Sequence, residues 1–497
     1  GGGGGDRWDR EGGLCESLMG EGSTAALINE LAPAPVPASD DDDDSGSDPD
    51  ESSSSSEAVG GFGGDKGGRG EDGSADDETE LLRAAERMLL PDRTAAEGND
   101  RADDDGGTAA ESAFAAGKTA TIGRVPWADP FLALWADGGS KRLPSPRLSA
   151  PSTHMSVAEQ GVREYDEYRD NSDDFDDDHD EEDFEGWDDG LVTEVDQEED
   201  PPPLLRHYCL DPSSLLPVLA MGLHLNNGDV PSSPDHDGVS PPVVLDMCAG
   251  PGGKTLALAQ LLFGPRSVWG THLDGSTVGG ADRPSETGAP LLVANEPSRS
   301  RRARLRRVLD SYVPSPLLYD TGSLRVTGSD GTVFGRSTYG RNMYDISADG
   351  GKGDDSPSTT FEAFTHVLCD VPCSGERHLL QSAARSSSSS ALAKWRPGIG
   401  RTNRSRQLSL LKSALSCCRP GGVVVYSTCS IDPNENDKVV RNALRKRGDE
   451  VRVEEPTAEL FTGMPGERTE YGWIVLPDHP SCQGMGPMYV ARLRKLG

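Results

Sequence analysis

The chain has 497 residues, a formal net charge of −36 and 34% hydrophobic residues; its length alone would allow about three domains. Residues 1–200 carry 15 Lys and Arg against 54 Asp and Glu, whereas residues 201–497 carry 33 against 30. The acidity therefore belongs to the first part of the chain and does not exclude a nucleic-acid partner for the second. No apolar run approaches the roughly 18 residues that span a bilayer, so the sequence reads as a soluble protein with no membrane partner.

The first 203 residues read as a low-complexity, acidic, mostly disordered region. It contains Gly1–Gly5, Asp40–Asp44, Ser52–Ser56 and the acidic stretch from Asp173 to Asp189. Such segments bury too little apolar surface to offset the entropy lost on ordering. Two pieces differ: Glu78–Leu90 has helical apolar spacing, and Pro126–Trp135 carries two tryptophans. Each reads as a transient helix in a linker, with a docking helix as the alternative. The chain starts at Gly1 rather than at a methionine, so it does not reveal a signal or transit peptide.

From residue 204 strands alternate with helices. Leu215–Leu223 reads as a short apolar helix, Val243–Met247 as a buried parallel strand and Lys254–Leu262 as a helix. Leu291–Ala294 is a second strand, followed by the basic helix Ser298–Leu309. Ser323–Thr327, Thr365–Val371 and Gly422–Ser427 are further strands, with helices at Arg404–Cys418 and Asn434–Lys446. Trp473–Leu476 and Met488–Leu493 close the chain as a strand pair. This alternation predicts a doubly wound α/β sheet over residues 204–497. Gly/Ser-rich stretches near 225–240, 271–290, 335–360 and 383–390 read as loop insertions.

Nine cysteines form no CxxC pair and no Cys/His cluster with zinc spacing, so no metal is expected. An odd number fits reduced thiols.

Four segments carry chemistry. Asp246–Thr255 (DMCAGPGGKT) lies between a strand and a helix, where glycines let a ligand approach and the helix offers free N–H groups. Its Gly253-Lys254-Thr255 ending matches a P-loop, but the glycine needed five residues earlier is Cys248, so that reading fails. Asn295-Glu296 ends the second strand, where a carboxylate can accept both ribose hydroxyls of a cofactor or sit solvated in a loop. The third strand leads to Asp330-Gly331. Asp370–Gly375 (DVPCSG) and Tyr426–Ser430 (YSTCS) each follow an apolar strand and put a thiol at the ligand-binding edge. One such cysteine is usually a small buried hydrophobe; two at neighbouring strand ends argue for chemistry.

Together these segments resemble the Sun (RsmB-like) family of RNA cytosine-5 methyltransferases. The resemblance covers residues 205–497, insertions excepted. It extends to features of the mitochondrial ribosomal-RNA branch in Leu210–Leu223, Ser311–Pro314, Arg325–Gly331 and Gly486–Tyr489. It implies a Rossmann-like methyltransferase sheet, mostly parallel with an antiparallel strand near the C-terminus. It also implies S-adenosyl-L-methionine as cofactor, methylation of carbon 5 of an RNA cytosine, ribosomal RNA as substrate with transfer RNA as the alternative, and a mitochondrial location. By the same resemblance Gly252, Gly253 and Lys254 hold the methionine and ribose side of the cofactor. Glu296 binds the ribose with Arg301 nearby, Asp330 and Gly331 lie near the adenine, and Asp370 faces cofactor and base. Cys429 is the implied nucleophile and Cys373 assists release.

This chain departs from the family at Gly250, where Ala is frequent, and at Glu296, where Asp is frequent. The family's helical RNA-recognition region is replaced by acidic sequence, so a protein partner supplying the RNA grip is an expectation. Arg299, Arg301, Arg302, Arg304, Arg306 and Arg307, with Lys394, Arg396, Arg401, Arg404 and Arg406, form basic clusters that read either as phosphate-tracking or as solvated faces. A tethered acidic region competing with RNA for them is a further expectation. A non-catalytic RNA-binding or ribosome-assembly scaffold that retains the fold is the alternative outside the enzyme class.

Overall fold

The structure, a computed structural model, describes residues 14–19, 23–32, 122–136, 203–225, 241–265, 267–269, 289–334, 362–385, 398–455 and 465–496. Residues 78–90, Lys394, Arg396 and most of the four predicted insertions lie outside them.

Four short strands come first: β1 (Ala25–Ile28), β2 (Ile122–Arg124), β3 (Ala133–Ala136) and β4 (His207–Leu210). They form an antiparallel sheet in the order β2-β3-β1-β4. Parts of the region expected to be disordered therefore contribute three strands, and helix α1 (Leu14–Met19) precedes them. Residues 126–135 are a correction to the expected helix: they form turns and then enter β3. Pro126 and Pro130 withhold the backbone donors a helix interior needs. Trp127, Phe131 and Trp135 are buried in the same core as Leu216, Leu219, Leu256 and Leu258. Each such side chain contributes roughly 1.5–3 kcal/mol by leaving water, which outweighs weak local preference.

The larger sheet is the one the sequence predicts. Helix α2 (Leu216–Leu219) precedes β5 (Val243–Asp246), α3 (Gly253–Phe263), β6 (Leu291–Asn295), α4 (Arg299–Tyr312) and β7 (Leu324–Thr327). Then come β8 (Phe364–Asp370), α5 (Glu376–Arg385), α6 (Ile399–Cys417), β9 (Cys418–Thr428) and α7 (Asp437–Arg447). The last strands are β10 (Val451–Glu454), β11 (Glu467–Arg468), β12 (Trp473–Val475) and β13 (Met488–Lys495).

Strands β7-β6-β5-β8-β9 are mutually parallel, and β13 lies antiparallel against β9. The predicted pair is present, with Trp473 opposite Val490, and β10 pairs further along the same edge of β13, opposite β9. β8 is buried along six of its seven residues because helices cover both faces. α4 buries Leu305, Leu309 and Tyr312 on one stripe and turns its arginines outward. The strand order reverses between β5 and β8, so the crevice for a ligand opens at their carboxyl ends. No helix among the described residues is long and apolar enough to cross a membrane.

Candidate active site

The four sequence segments begin at or just after the carboxyl ends of β5, β6, β8 and β9. Asp246 ends β5 almost fully buried, and its Oδ2 accepts the Thr255 hydroxyl at 2.7 Å, pinning the start of α3. Its Oδ1 has no hydrogen-bond partner among the described residues, and burial pushes its carboxyl from the ordinary 3.8 up to about 7. The turn then passes Gly250 and Gly252, the latter at φ +123°, where a β-carbon is strained. Gly253 opens α3 with its Cα facing Tyr208 of β4: a β-carbon there would lie 2.9 Å from the tyrosine ring. The small sheet thus walls one side of the turn. Cys248 in this turn is half-buried, and burial raises its thiol pKa, so it keeps its proton.

Lys254 reaches across to β8, its Nζ 2.7 Å from Asp370 Oδ2. Burial opposes the ammonium, but the Asp370 carboxylate outweighs it and the lysine pKa is raised. Asp370 Oδ1 accepts the Ser427 hydroxyl at 2.6 Å, which joins β8 to β9. Lys254 is also within electrostatic reach of Cys429.

Glu296 follows β6 and is 2% exposed. Its Oε1 accepts Ser298 N at 3.0 Å and its Oε2 pairs with Arg301 Nη2 at 3.3 Å. Arg301 Nη2 also donates to Gly250 O at 3.1 Å, so the guanidinium links the glycine turn to the second strand end. Asp330 is exposed and accepts Thr332 N and Oγ1 within its own turn. Gly331 is buried, where a β-carbon would meet Leu410 at 2.8 Å and Met247 at 3.3 Å.

The cysteines come together. Cys373 Sγ lies 2.6 Å from Cys429 Sγ and accepts Cys429 N at 3.3 Å. Cys429 is exposed and Cys373 half-buried; both are free thiols. The hydrogen bond with Cys429, then burial, raises the Cys373 pKa well above the ordinary thiol value, so Cys373 holds its proton at neutral pH.

Sequence reasoning gave no role to Asn295. Its amide donates to Met247 O and Ser329 O and accepts Thr327 Oγ1 and Ser329 N, between 2.8 and 3.2 Å. All four of its hydrogen-bonding positions are used, tying the ends of β5, β6 and β7 together. Only its place at a strand end beside Glu296 could have marked it. No group of His, Cys, Asp and Glu among the described residues could hold a metal ion.

A doubly wound sheet with this strand order, a glycine turn after its first parallel strand and an acidic residue after the second defines a Rossmann-like methyltransferase fold. Residues 340–494 match the family described as 16S rRNA methyltransferase RsmB/F. It is 31% identical over 297 residues to a mouse (Mus musculus) protein named tRNA (cytosine(34)-C(5))-methyltransferase, mitochondrial, covering 59% of this chain and 64% of that one. It is also 31% identical over 304 residues to the mouse 5-cytosine rRNA methyltransferase NSUN4, covering 59% and 61%. The chain thus spans less than two thirds of the length of these relatives. A solved methyltransferase homologue from Pyrococcus horikoshii aligns at TM-score 0.41 and 16% identity, over 97% of this chain and 90% of that one.

Proposed function

We propose that this chain transfers a methyl group from S-adenosylmethionine to carbon 5 of a cytosine in ribosomal RNA, through a covalent bond between Cys429 and carbon 6. The observation that carries the reading is the meeting of two free thiols, Cys373 and Cys429, 2.6 Å apart beside the Lys254–Asp370 ion pair. Relatives named for mitochondrial transfer RNA and for ribosomal RNA support the substrate class and a mitochondrial location. The methyltransferase domain is taken as residues 204–497.

The residues fit the cofactor. Glu296 keeps lone pairs beyond those used by Ser298 and Arg301, enough for a ribose diol. The glycine turn keeps its backbone open to a ligand at the start of α3. When bound, S-adenosylmethionine supplies an electrophilic methyl on a sulfonium. Gly252, Gly253 and Lys254 would hold its methionine and ribose side, and Asp330 with Gly331 would border the adenine.

Carbon 5 of cytosine is a poor nucleophile. Addition of the Cys429 thiolate at carbon 6 makes the ring enamine-like and activates carbon 5. Asp370, fixed by Lys254 and Ser427, hydrogen-bonds the base edge and stabilises the added form. After methylation the carbon 5 proton passes to solvent water, the electrons of that C–H bond re-form the 5,6 double bond, and the sulfur–carbon 6 bond breaks with its electron pair returning to Cys429. Cys373, in contact with that sulfur, assists this release.

The base must be unstacked to reach the thiols, which favours single-stranded or looped RNA. Arg299, Arg301, Arg304, Arg306 and Arg307 are exposed along α4. Its first turn holds no acidic residue; arginines there work against the helix dipole, a cost that binding phosphates would offset. The test is transfer of labelled methyl from S-adenosylmethionine to total RNA, with analysis for 5-methylcytosine. The wild type should label cytosine, Cys429→Ala should be inactive, and Cys373→Ala should accumulate a covalent RNA adduct. Full activity of Cys429→Ala would refute the mechanism, and labelling confined to transfer RNA would replace the substrate.

A further inference from the structure

Two carboxylates stand behind the cysteines without touching either. Glu435, between β9 and α7, is fully buried. Its Oε2 accepts Gln407 Nε2 at 2.7 Å, Ser374 N at 3.1 Å and Asn403 Nδ2 at 3.3 Å, and its Oε1 faces the Ser430 hydroxyl at 3.4 Å. Glu376, the first residue of α5, is half-buried. It accepts the Ser430 hydroxyl at 2.8 Å, Ile431 N at 3.2 Å and the Ser374 hydroxyl.

The connections are reciprocal. Glu376 belongs to the Cys373 loop and binds the two residues that follow Cys429. Glu435 belongs to the Cys429 segment and binds the residue that follows Cys373. Between them the Ser374 and Ser430 hydroxyls lie 3.0 Å apart. Gln407 of α6 adds a bond to Pro372 O at 2.9 Å, so the long helix holds the same junction.

Burying a carboxylate costs several kcal/mol unless it is compensated. Neither Glu376 nor Glu435 has a cationic partner among the described residues; both rely on neutral donors. A carboxylate offers about four acceptor sites and no donor. That is what a junction of converging N–H and O–H groups requires, and a neutral amide cannot match it.

We infer that Glu376 and Glu435 are positioning residues, a crossed pair of carboxylate clasps that fixes Cys373 against Cys429. The clasp sets the thiol separation on which attack at carbon 6 and release of the methylated base both depend. The inference rests on the cysteine roles proposed above, but thiol proximity can be read without RNA.

The experiment compares the full chain with Glu435→Gln, Glu376→Gln and Ser430→Ala. Diamide takes one hydrogen from each thiol, is itself reduced to the hydrazine and leaves a disulfide. The rate of Cys373–Cys429 disulfide formation, followed by peptide mass, therefore reports how often the sulfurs meet. Both glutamate variants should form it at least about tenfold more slowly, since misplacement by about 1 Å can cost a hundredfold in rate. Ser430→Ala should be intermediate, and S-adenosylhomocysteine should bind all three within about twofold of wild type.

With RNA, the glutamate variants should lose turnover while a larger share of RNA stays as covalent adduct, which general loosening of the fold would not produce. Wild-type disulfide rates in both glutamate variants would overturn the inference. So would slowing accompanied by equal loss of cofactor binding in all three. A wild-type chain inert on every RNA would instead overturn the proposed function and leave the disulfide comparison standing.

Discussion

Gly250 and Glu296 are matched in size, and the match can be broken and restored. A β-carbon on Gly250 would lie 2.5 Å from Glu296 Oε2 and 3.3 Å from Arg301 Nε. The first contact is about 1 Å inside ordinary separation, and Glu296 is 2% exposed and held by Ser298 and Arg301, so it cannot swing clear. Gly250→Ala should therefore cost about 1–3 kcal/mol of overpacking. Glu296→Asp alone removes one methylene, withdraws the carboxylate from Ser298 and Arg301 and should also be destabilising, by about 1 kcal/mol. In the double variant the shorter acid makes room for the methyl, and the coupling should recover about 1–2 kcal/mol. Urea unfolding of the four proteins gives the cycle, and calorimetric titration with S-adenosylhomocysteine should show the same order of affinity. Additive losses in the double variant would refute the size match and with it the place of Glu296 against the turn.

Glu296→Gln should weaken S-adenosylhomocysteine binding about tenfold to a hundredfold, because a hydrogen bond to a charged group is worth about 1.5–3 kcal/mol; titration showing unchanged affinity would remove Glu296 from the cofactor site. Asp246 binds its proton more tightly folded than unfolded, since burial lifts its pKa from 3.8 to about 7. Its stabilising contribution is thus full below pH 4 and is lost as pH rises through 7, so Asp246→Asn should gain about 2 kcal/mol on wild type between pH 5.5 and 8; a flat difference in urea unfolding would argue against a protonated Asp246. Arg304→Glu with Arg307→Glu should lower the slope of log affinity against log salt by about one per lost phosphate contact, and an unchanged slope would leave α4 a solvated face. Neutralising the acidic residues of 173–189 to amides should tighten RNA binding at low salt if that stretch competes for the basic surface, and equal affinities would exclude such competition. Deleting residues 1–200 is the poorer test, because it removes β1, β2 and β3.

The parallel sheet was legible because burial on both faces leaves a mark in composition. Runs such as Val243–Asp246 and Val367–Asp370 are apolar until a polar residue appears at the carboxyl end, and that break is also where the ligand crevice lies. The small sheet left no such mark. Its strands are three or four residues long, and its central strand is distant in sequence from both neighbours: Ala25–Ile28 pairs with Ala133–Trp135 and His207–Leu210. No local period signals a partner about a hundred residues away. The tryptophans at 127 and 135 were visible, but their burial against α2 and α3 was not.

The same division runs through the site. The residues proposed to meet ligand or substrate are drawn from few types, since only glycine permits close approach and only cysteine supplies the thiol, so Gly252, Cys373 and Cys429 stood out near their strand ends. The residues that hold them are ordinary polar side chains whose meaning lies in long-range pairing. Asn295 reaches a carbonyl 48 positions away, and Glu435 reaches an N–H 61 positions away. In isolation each reads as a polar residue at a turn. Chemistry is therefore legible one residue at a time, whereas the geometry that makes it efficient becomes visible only once the strand ends are brought together. By that argument an aligned Cys373–Cys429 motif does not by itself make an active site: a chain that kept both cysteines but lost Glu376 and Glu435 would carry the motif without the spacing it requires.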